Sequence, residues 1–550
     1  GGELLHVGPL STLVKNKTSL TGQYLSGKLS VEPPSSRRSV NSATPKLKIR
    51  GLQHHNLKNF NIDIPLGRLV ALAGVSGCGK STLMRSGLYQ GSGKFKDKEG
   101  ENPAQLKSWS SAIDFEEILW VDQSPLSKTP RSNPAVYTGA WDGIRKRFGA
   151  CEASTTAGFG PEVFSFNSKI GQCPTCEGLG FEAVDMQFLS DLYLPCSSCE
   201  GKRFKPEVLA IRCNGYTIHE ILELDAYTGI RVFADDAKIT SRLQLLIDVG
   251  LGYLKLGQPL NTLSGGEAQR LKLVRELIHL KGSKPKLCLL DEPTTGLHRH
   301  DVKRLLAVLQ KLVDAGHSVV LIEHQLDVLA AVDWLIELGP GAGADGGMIV
   351  AEGTPEFIAK SKTTTAPFLK ELLSGKIKKV PISNQSSLAV RPPETLCLRG
   401  AREHNLKSID VDIPLNSLSV VTGVSGSGKS SLAFDVIFAE GQRRFMESMS
   451  AYIRQFIEQM PRADFDTLSG IPPTVAIEQR STRGGSKSTV ASITEVLPFL
   501  RLLFAKAGVQ YNPATGEAVT VLEATAVAKH ALTAVEAYQP SAKKPLYIAA

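Results

Sequence analysis

The chain has 550 residues, too many for one ordinary domain and enough for three or four, and its 42% apolar content can bury large cores. Charged residues are 21%, with 50 glycines and 30 prolines, which excludes a disordered or collagen-like chain. No 18 residues run apolar without a charge, which excludes a membrane-spanning helix and so a transporter with its own channel. The net charge of +9 permits a polyanionic partner without demanding one.

The chain begins at Gly1 without a Met or the charged and apolar regions of a signal peptide, and reads as an internal piece of a longer protein. Internal repeats organise the rest. GGELLHVGPLSTLVKNKTSLTGQYLSG (1–27) parallels GGMIVAEGTPEFIAKSKTTTAPFLKELLSG (346–375). GLQHHNLKNFNIDIPL (51–66) parallels GAREHNLKSIDVDIPL (400–415), an offset of 349 that holds through GVSGCGKSTL (74–83) and GVSGSGKSSL (423–432). The expected order is the tail of one unit (1–27), a linker (28–46), a whole unit (47–375), a second linker (376–394) and the start of a further unit (395–510). Both linkers are rich in Ser, Pro and basic residues, with little apolar periodicity.

Each unit opens alike. NIDIPLG (61–67) and DVDIPLN (410–416) alternate apolar and polar residues, as strands with one buried face do. RLVALAG (68–74) and SLSVVTG (417–423) are short β-rich runs ending in Gly. Two Gly-rich loops follow, both matching G-x-x-x-x-G-K-[ST]. One holds Gly74, Ser76, Gly77, Gly79, Lys80, Ser81 and Thr82, the other Gly423, Ser425, Gly426, Gly428, Lys429, Ser430 and Ser431. Glycines let successive N–H groups turn toward phosphate oxygens, and the following helix adds its positive end. Lys80 and Lys429 are expected to reach the β- and γ-phosphates of ATP, and Ser81 and Ser430 to offer hydroxyls to Mg²⁺.

Next come two cysteine pairs, CPTC (173–176) and CSSC (196–199). Cys173, Cys176, Cys196 and Cys199 have the spacing of a tetrahedral Zn²⁺ site. Each pair is followed by Glu-Gly (Glu177-Gly178, Glu200-Gly201), the Gly suiting a tight turn. Cys78, Cys151, Cys213, Cys288 and Cys397 are scattered and read as free thiols of a reducing compartment. About 180 residues separate Ser81 from Ser264, so a large module, about 90–262, is inserted there. GKRF (201–204), IRKRF (144–148) and PRSNP (130–134) read equally as DNA-phosphate contacts or as a solvated basic face.

In LSGGEAQRLKLVREL (263–277), Ser264, Gly265 and Gly266 present N–H groups at a helix start, a second anion trap, with Glu267 next. LCLLDEP (287–293) and SVVLIEH (318–324) are continuous apolar strands, as in a parallel sheet covered on both faces. The first ends in Asp291, suited to a magnesium shell, and Glu292, suited to orient an attacking water. DVKRLLAVLQKLVDAG (301–316) has helical spacing and a Gly stop. This succession argues an α/β fold.

The signature and strand motifs resemble those of ABC ATPases. LSGGEAQRLKLVREL with LLDEPTTGLHRHD resembles the signature and Walker B of the UvrA family, the damage-recognition subunits of bacterial nucleotide excision repair. DQSPLSKTPRSNPAVYTG with the four-Cys finger resembles that family's second half. SLAFDVIFAEGQRRFMESMSAYIRQF and IEQRSTRGGSKSTVASITEV resemble the start of its first half.

The resemblance implies ABC-type P-loop nucleotide-binding domains with a zinc-finger insertion and a helical signature subdomain. It implies that Gln123 and Gln479 are Q-loop glutamines, that His324 senses the γ-phosphate, and that the signature of one unit closes over nucleotide on the loop of another. It further implies ATP hydrolysis with Mg²⁺ and Zn²⁺, binding of damaged duplex DNA, loading of the partner UvrB, a homodimer and a cytoplasmic, membrane-free location. The order departs from the family, which runs first half before second; a tandem chain, or a piece of one, explains it. VQYNPATG (509–516) lacks the thiols that first halves often carry there, so no zinc site is expected, and 511–550 reads as the start of a UvrB-binding region.

Loop 74–81 has Asp291, Glu292 and His324 in its own unit but no facing signature in the chain. Loop 423–430 can face Ser264-Gly265-Gly266 but lacks its own Walker B, so neither composite site is expected to be complete. Two other readings stay open. A transporter's ATPase subunit is opposed by the zinc finger. A zinc scaffold that binds nucleotide without turnover is opposed by Asp291-Glu292-Pro293.

Overall fold

The computed structural model describes the chain except residues 94–103, 123–125, 127–130, 185–191, 279–283, 376–394, 450–461, 478–488, 520–522 and 539–550. The second linker, Gln123 and Gln479 lie outside the described residues. The chain divides into two compact units, Gly1–Ser481 and Thr482–Ala550.

In the larger unit the strands are β1 (Lys46–His54), β2 (Leu57–Pro65), β3 (Leu69–Gly74), β4 (Ser108–Ser111) and β5 (Ile118–Val121). Then come β6 (Phe181–Val184), β7 (Leu192–Pro195), the two-residue β8 (Arg212–Cys213) and β9 (Tyr216–Thr217). β10 (Leu287–Asp291), β11 (Ser318–Ile322), β12 (Trp334–Gly339) and β13 (Met348–Gly353) follow. The main sheet has the order β13-β12-β3-β11-β10-β5, parallel throughout except for β13. β11 is buried along its whole length; β3 and β10 are buried until Gly74 and Asp291 emerge at their C-terminal ends.

This burial has two sides. Leu69, Ala71 and Ala73 of β3 join the core under the helices, while Val70 and Leu72 join Leu47, Ile49, Ile62 and Ile64 of the β1–β2 sheet. A fully buried side chain of this size contributes about 1.5–3 kcal/mol, so a sheet covered on both faces draws on every residue of a strand. The helix Arg299–Asp314 packs Val302, Leu305, Leu309 and Leu312 into the first core, and Gly316, at φ +94°, follows its end, close to the expected 301–316. β2 shows the expected alternation, with Ile62 and Ile64 buried and Asn61 exposed. The insertion is mainly helical, with Phe148, Phe164, Phe166 and Phe204 in its core.

The second copy begins the same way. β14 (Thr395–Ala401), β15 (Ile409–Pro414) and β16 (Thr467–Ser469) form a sheet in the order β15-β14-β16, matching β2-β1-β4. The strand expected at 417–423 does not form, and Leu418 and Val420 are 95% and 78% exposed. The reason is non-local. β3 is held between β11 and β12, and no counterpart of those two strands appears after Ser469 among the described residues.

At the N-terminus, helices Leu10–Leu13 and Leu20–Leu25 precede a stretch without regular structure up to Lys46. That stretch is anchored. Arg37 donates to the carbonyls of Ala330 and Val332 and pairs with Glu356, and Arg38 pairs with Asp314 and Asp333. The smaller unit holds helices Val490–Ile493, Val496–Ala507 and Ala524–Tyr538. Among the described residues no helix is long and apolar enough to cross a membrane.

Candidate functional site

The two Gly-rich loops share one backbone. Gly77 and Gly79 have φ of 78° and 108°, and Gly426 and Gly428 have 71° and 94°, values that cost glycine little and other residues more. Lys80 Nζ donates to the carbonyls of Gly74 (2.8 Å) and Val75 (2.9 Å). Lys429 Nζ does the same to Gly423 and Val424, both at 2.8 Å. Asn56 and Asn405 each donate a side-chain N–H to a loop carbonyl, Gly77 at 3.2 Å and Gly426 at 2.7 Å. The N–H of Gly347 meets Cys78 O at 3.0 Å, and the N–H of Gly2 meets Ser427 O at 3.1 Å, so residues 1–27 stand to the second loop as 346–375 stand to the first. Ser76, Ser81 and Ser430 are exposed, Thr82 and Ser425 partly buried, and Ser431 Oγ lies 3.4 Å from His404 Nδ1.

β10 ends on Asp291, level with Ile322 of β11. Glu292 then takes a positive φ of 46°, uncommon outside glycine, and its N–H donates to Ile322 O at 3.1 Å. Its Oε1 lies 3.2 Å from His324 Nε2. Glu323, 2% exposed, ties these two turns together: its carboxylate accepts from Thr294 N–H (3.0 Å), Thr294 Oγ1 (2.7 Å), His324 N–H (3.0 Å) and Gln325 N–H (3.3 Å). Burial pushes its pKa above the usual carboxylate value, with those hydrogen bonds pulling the other way. Sequence reasoning passed over Glu323. Its signal was an acid at the end of a buried strand, one residue before His324.

Ser264 opens the helix Gly265–Ile278, with its N–H on Glu267 Oε2 at 2.9 Å and its Oγ accepting from the Glu267 N–H at 3.4 Å. The Tyr253 hydroxyl donates to Glu267 Oε1. The Tyr253 ring covers the second loop so closely that a Cβ on Gly426 would lie 2.4 Å from it. Asp301 Oδ2 accepts the N–H of Ser425 at 2.9 Å. Burial lowers the pKa of Lys429, and the Asp301 and Glu267 carboxylates oppose that. A cavity of about 400 Å³, lined by Tyr24, His298, Gly423 and Lys429 among others, opens beside this loop. Tyr253, which holds Glu267 of the signature helix, and Asp301 thus lie against loop 423–430, and Asp291, Glu292 and His324 lie around the strand ends of the first copy. Asp301 and Tyr253 were not legible beforehand, because each meets the second loop only through the fold.

The four insertion cysteines are buried, with all Sγ atoms within 4.8 Å of one another. Cys173–Cys196 is 4.0 Å and Cys176–Cys199 is 3.6 Å, bracketing the edge of about 3.8 Å of a tetrahedron with 2.3 Å arms. The Gly180 N–H donates to Cys176 Sγ at 3.2 Å and the Arg203 N–H to Cys199 Sγ at 3.3 Å. Glu177-Gly178 and Glu200-Gly201 all have positive φ, the expected turns. Burial pushes the Cys199 thiol up to about 12; against burial, the amides of Cys176 and Thr175 bring Cys173 down to about 7. The donor set fits zinc.

The basic segments near this cluster are largely engaged within the protein. Arg203 donates to Gly257 O at 3.0 Å and lies over the Phe166 ring. Arg145 pairs with Asp142, Arg147 with Asp235, and Arg131 with Glu177.

No model of a known protein family matches the chain. UvrABC system protein A of Lactiplantibacillus plantarum is 45% identical over 374 residues, 68% of this chain and 39% of that protein. Its counterpart in Thermus thermophilus is 46% identical over 372 residues, with the same two shares, 68% and 39%. The Chlamydia trachomatis protein of that name is 36% identical over 534 residues, 97% of this chain and 29% of that one. The crystal structure of UvrA2 from Deinococcus radiodurans superposes with a TM-score of 0.61 at 41% identity, covering 67% of this chain and 44% of that one. Motifs, fold and relatives agree: the chain is a UvrA-like ABC ATPase, and it spans 39% of the length of the first relatives it matches.

Proposed function

We propose that the chain is the nucleotide-driven part of a damage sensor in nucleotide excision repair, one that binds distorted duplex DNA and loads UvrB. One observation carries this: the 253–301 segment of the first copy meets the loop of the second copy, through Tyr253 on Gly426 and Asp301 on Ser425, as a shared nucleotide site requires. ATP on loop 74–81 would have its β- and γ-phosphates held by Lys80 and its magnesium by Ser81 and Asp291. Glu292 would take a proton from the attacking water, and His324, 3.2 Å from it, would orient that carboxylate toward the γ-phosphate. Gln123 and Gln479 would line the two sites. Loop 423–430 would bind ATP with Lys429 and Ser430, against Ser264, Gly265, Gly266 and Glu267. Zinc, when bound, supplies a structural cross-link, and its four thiolates fix the insertion between loop and signature.

The order of halves has support in length. The aligned shares imply about 1,800 residues for the Chlamydia protein against about 960 for the Lactiplantibacillus one. We read the chain as crossing from a second half into a following first half. The signature facing loop 74–81 and the acid serving loop 423–430 would come from other parts of a longer protein or from a second copy, and the second source fits a homodimer.

The deciding measurement is ATP turnover with intact and damaged duplex, alongside duplex binding over a salt series. Turnover that responds to damage, with binding that weakens steeply as salt rises, is expected. A chain that hydrolyses ATP and ignores duplex DNA would favour the transporter-subunit reading. A chain that binds ATP without turnover in any pairing would favour the scaffold.

A further inference from the structure

The helix Gly265–Ile278 begins at the residues that, under the proposed function, serve nucleotide on loop 423–430. Its next turn is fastened to the other site. Gln269 is fully buried, and its Nε2 donates to Val121 O at 3.1 Å and Asp291 O at 2.8 Å. Val121 is the last residue of β5 and Asp291 the last of β10, neighbouring strands of the main sheet. Three residues on, and so on the same helix face, Lys272 Nζ reaches the carbonyl (2.9 Å) and Oδ1 (2.7 Å) of Asp122. A carboxamide carries two N–H groups and can serve both carbonyls; an ionised carboxylate or an alkyl group can serve neither. Gln269 Oε1 is buried without a partner, so the two carbonyls alone set the amide's orientation.

We propose that Gln269 is a positioning residue that couples the two nucleotide sites. It ties the helix that faces loop 423–430 to the backbone of Asp291, the acid that serves loop 74–81. The inference rests on the function proposed above. Phosphates on loop 423–430 draw the N-terminus of the helix toward them. The helix moves as a rigid piece, and Gln269 passes that displacement to the end of β10. By linkage the effect is reciprocal: nucleotide at either loop changes affinity at the other by the same factor.

The test is titration of the full chain with a fluorescent ATP analogue, in the native form, Lys429→Ala, Gln269→Leu and the double variant. Two analogues should bind per native chain and one per Lys429→Ala chain. Emptying loop 423–430 should change the affinity of loop 74–81 about fivefold or more in the native background, the lower end of ordinary coupling. In the Gln269→Leu background that change should shrink to within about twofold of none, while the affinity of loop 74–81 measured alone stays as in Lys429→Ala. A purely structural role would lower both affinities and leave their ratio intact. An unchanged ratio in Gln269→Leu, or no coupling in the native chain, overturns the inference alone. A stoichiometry of two that survives Lys429→Ala overturns the proposed function, and the inference with it. Should Gln269→Leu not fold, Gln269→Met keeps the side chain's length while removing both N–H donors, and a native ratio in that variant overturns the inference equally.

Discussion

The segment at 68–74 and its repeat at 417–423 lead into the same loop but do not share a structure. In the first, Leu72 is fully buried in the middle of a six-stranded sheet. In the second, the equivalent Val421 is 43% exposed and belongs to no strand. Yet the loops that follow match in the φ angles of their glycines, in the carbonyls that hold Lys80 and Lys429, and in the Asn56 and Asn405 contacts. Loop geometry therefore goes with glycine placement, one lysine and a few contacts that both copies keep, and does not need the strand before it. The strand before it is written by partners found more than 200 residues later, at β11 and β12.

The largest expected effect sharpens the contrast at the insertion. The thiol cluster belongs to the first copy, and no second cluster exists among the described residues. Structural zinc contributes about 10–16 kcal/mol of binding free energy in small peptides, so its loss should dominate any change there. Metal analysis should find about one zinc per chain, and none in a Cys173→Ser, Cys196→Ser double variant. Amide exchange across 173–204 should quicken in that variant while exchange across 395–414 stays constant. Quickening in both regions would mean that the copies are not independent in stability.

Next is catalysis. In the full-length protein, Glu292→Gln should reduce ATP turnover by about 10²–10⁴-fold, the ordinary contribution of a positioned base, and leave ATP-analogue binding intact. The loss would follow from a carboxamide's inability to take the proton, since its shape and its contact to His324 can persist. Turnover within about twofold of native would show that the acid serving these loops lies elsewhere.

The third prediction tests the comparison directly. Leu72→Ala should cost about 2–5 kcal/mol in urea unfolding, a cavity in a core closed on both sides, whereas Val421→Ala should stay within about 0.5 kcal/mol. A large cost at Val421 would place 417–423 in a sheet. That contrast also says what sequence can carry. Lys80, Asp291, Glu292 and the four cysteines stood out in the sequence because the chemistry proposed for them demands fixed residue types at short spacing, and of these the cysteines are seen to cluster. The apolar run 417–423 was read as a strand because pattern reports the capacity to pair, not the presence of partners. Gln269, Asp301 and Tyr253 were passed over for the opposite reason. Gln269 meets Val121 across 148 positions, and Asp301 meets Ser425 across 124, so nothing near them in sequence marks the contact.

The smallest effect concerns Glu323, the buried carboxylate that joins the Glu292 turn to His324 in the first copy. Its pKa is raised by burial, so the folded protein holds this proton more tightly than the unfolded chain does. The stability it contributes is therefore fully present below the ordinary carboxylate pKa and is lost as pH rises through the folded value. Glu323→Gln removes the titration. Urea midpoints of native and variant protein across roughly pH 4 to 8 should diverge, the native form losing ground to the variant as pH rises and then running parallel to it. The direction matters more than the size. A native form that instead gains on the variant with rising pH would mean that the four donated hydrogen bonds outweigh burial, and that Glu323 is held ionised as a fixed negative charge behind His324. Under that outcome the first copy's His324 would sit in a field that nothing near loop 423–430 needs to reproduce. Under the expected one, Glu323 acts through shape, holding two turns in register with little charge of its own.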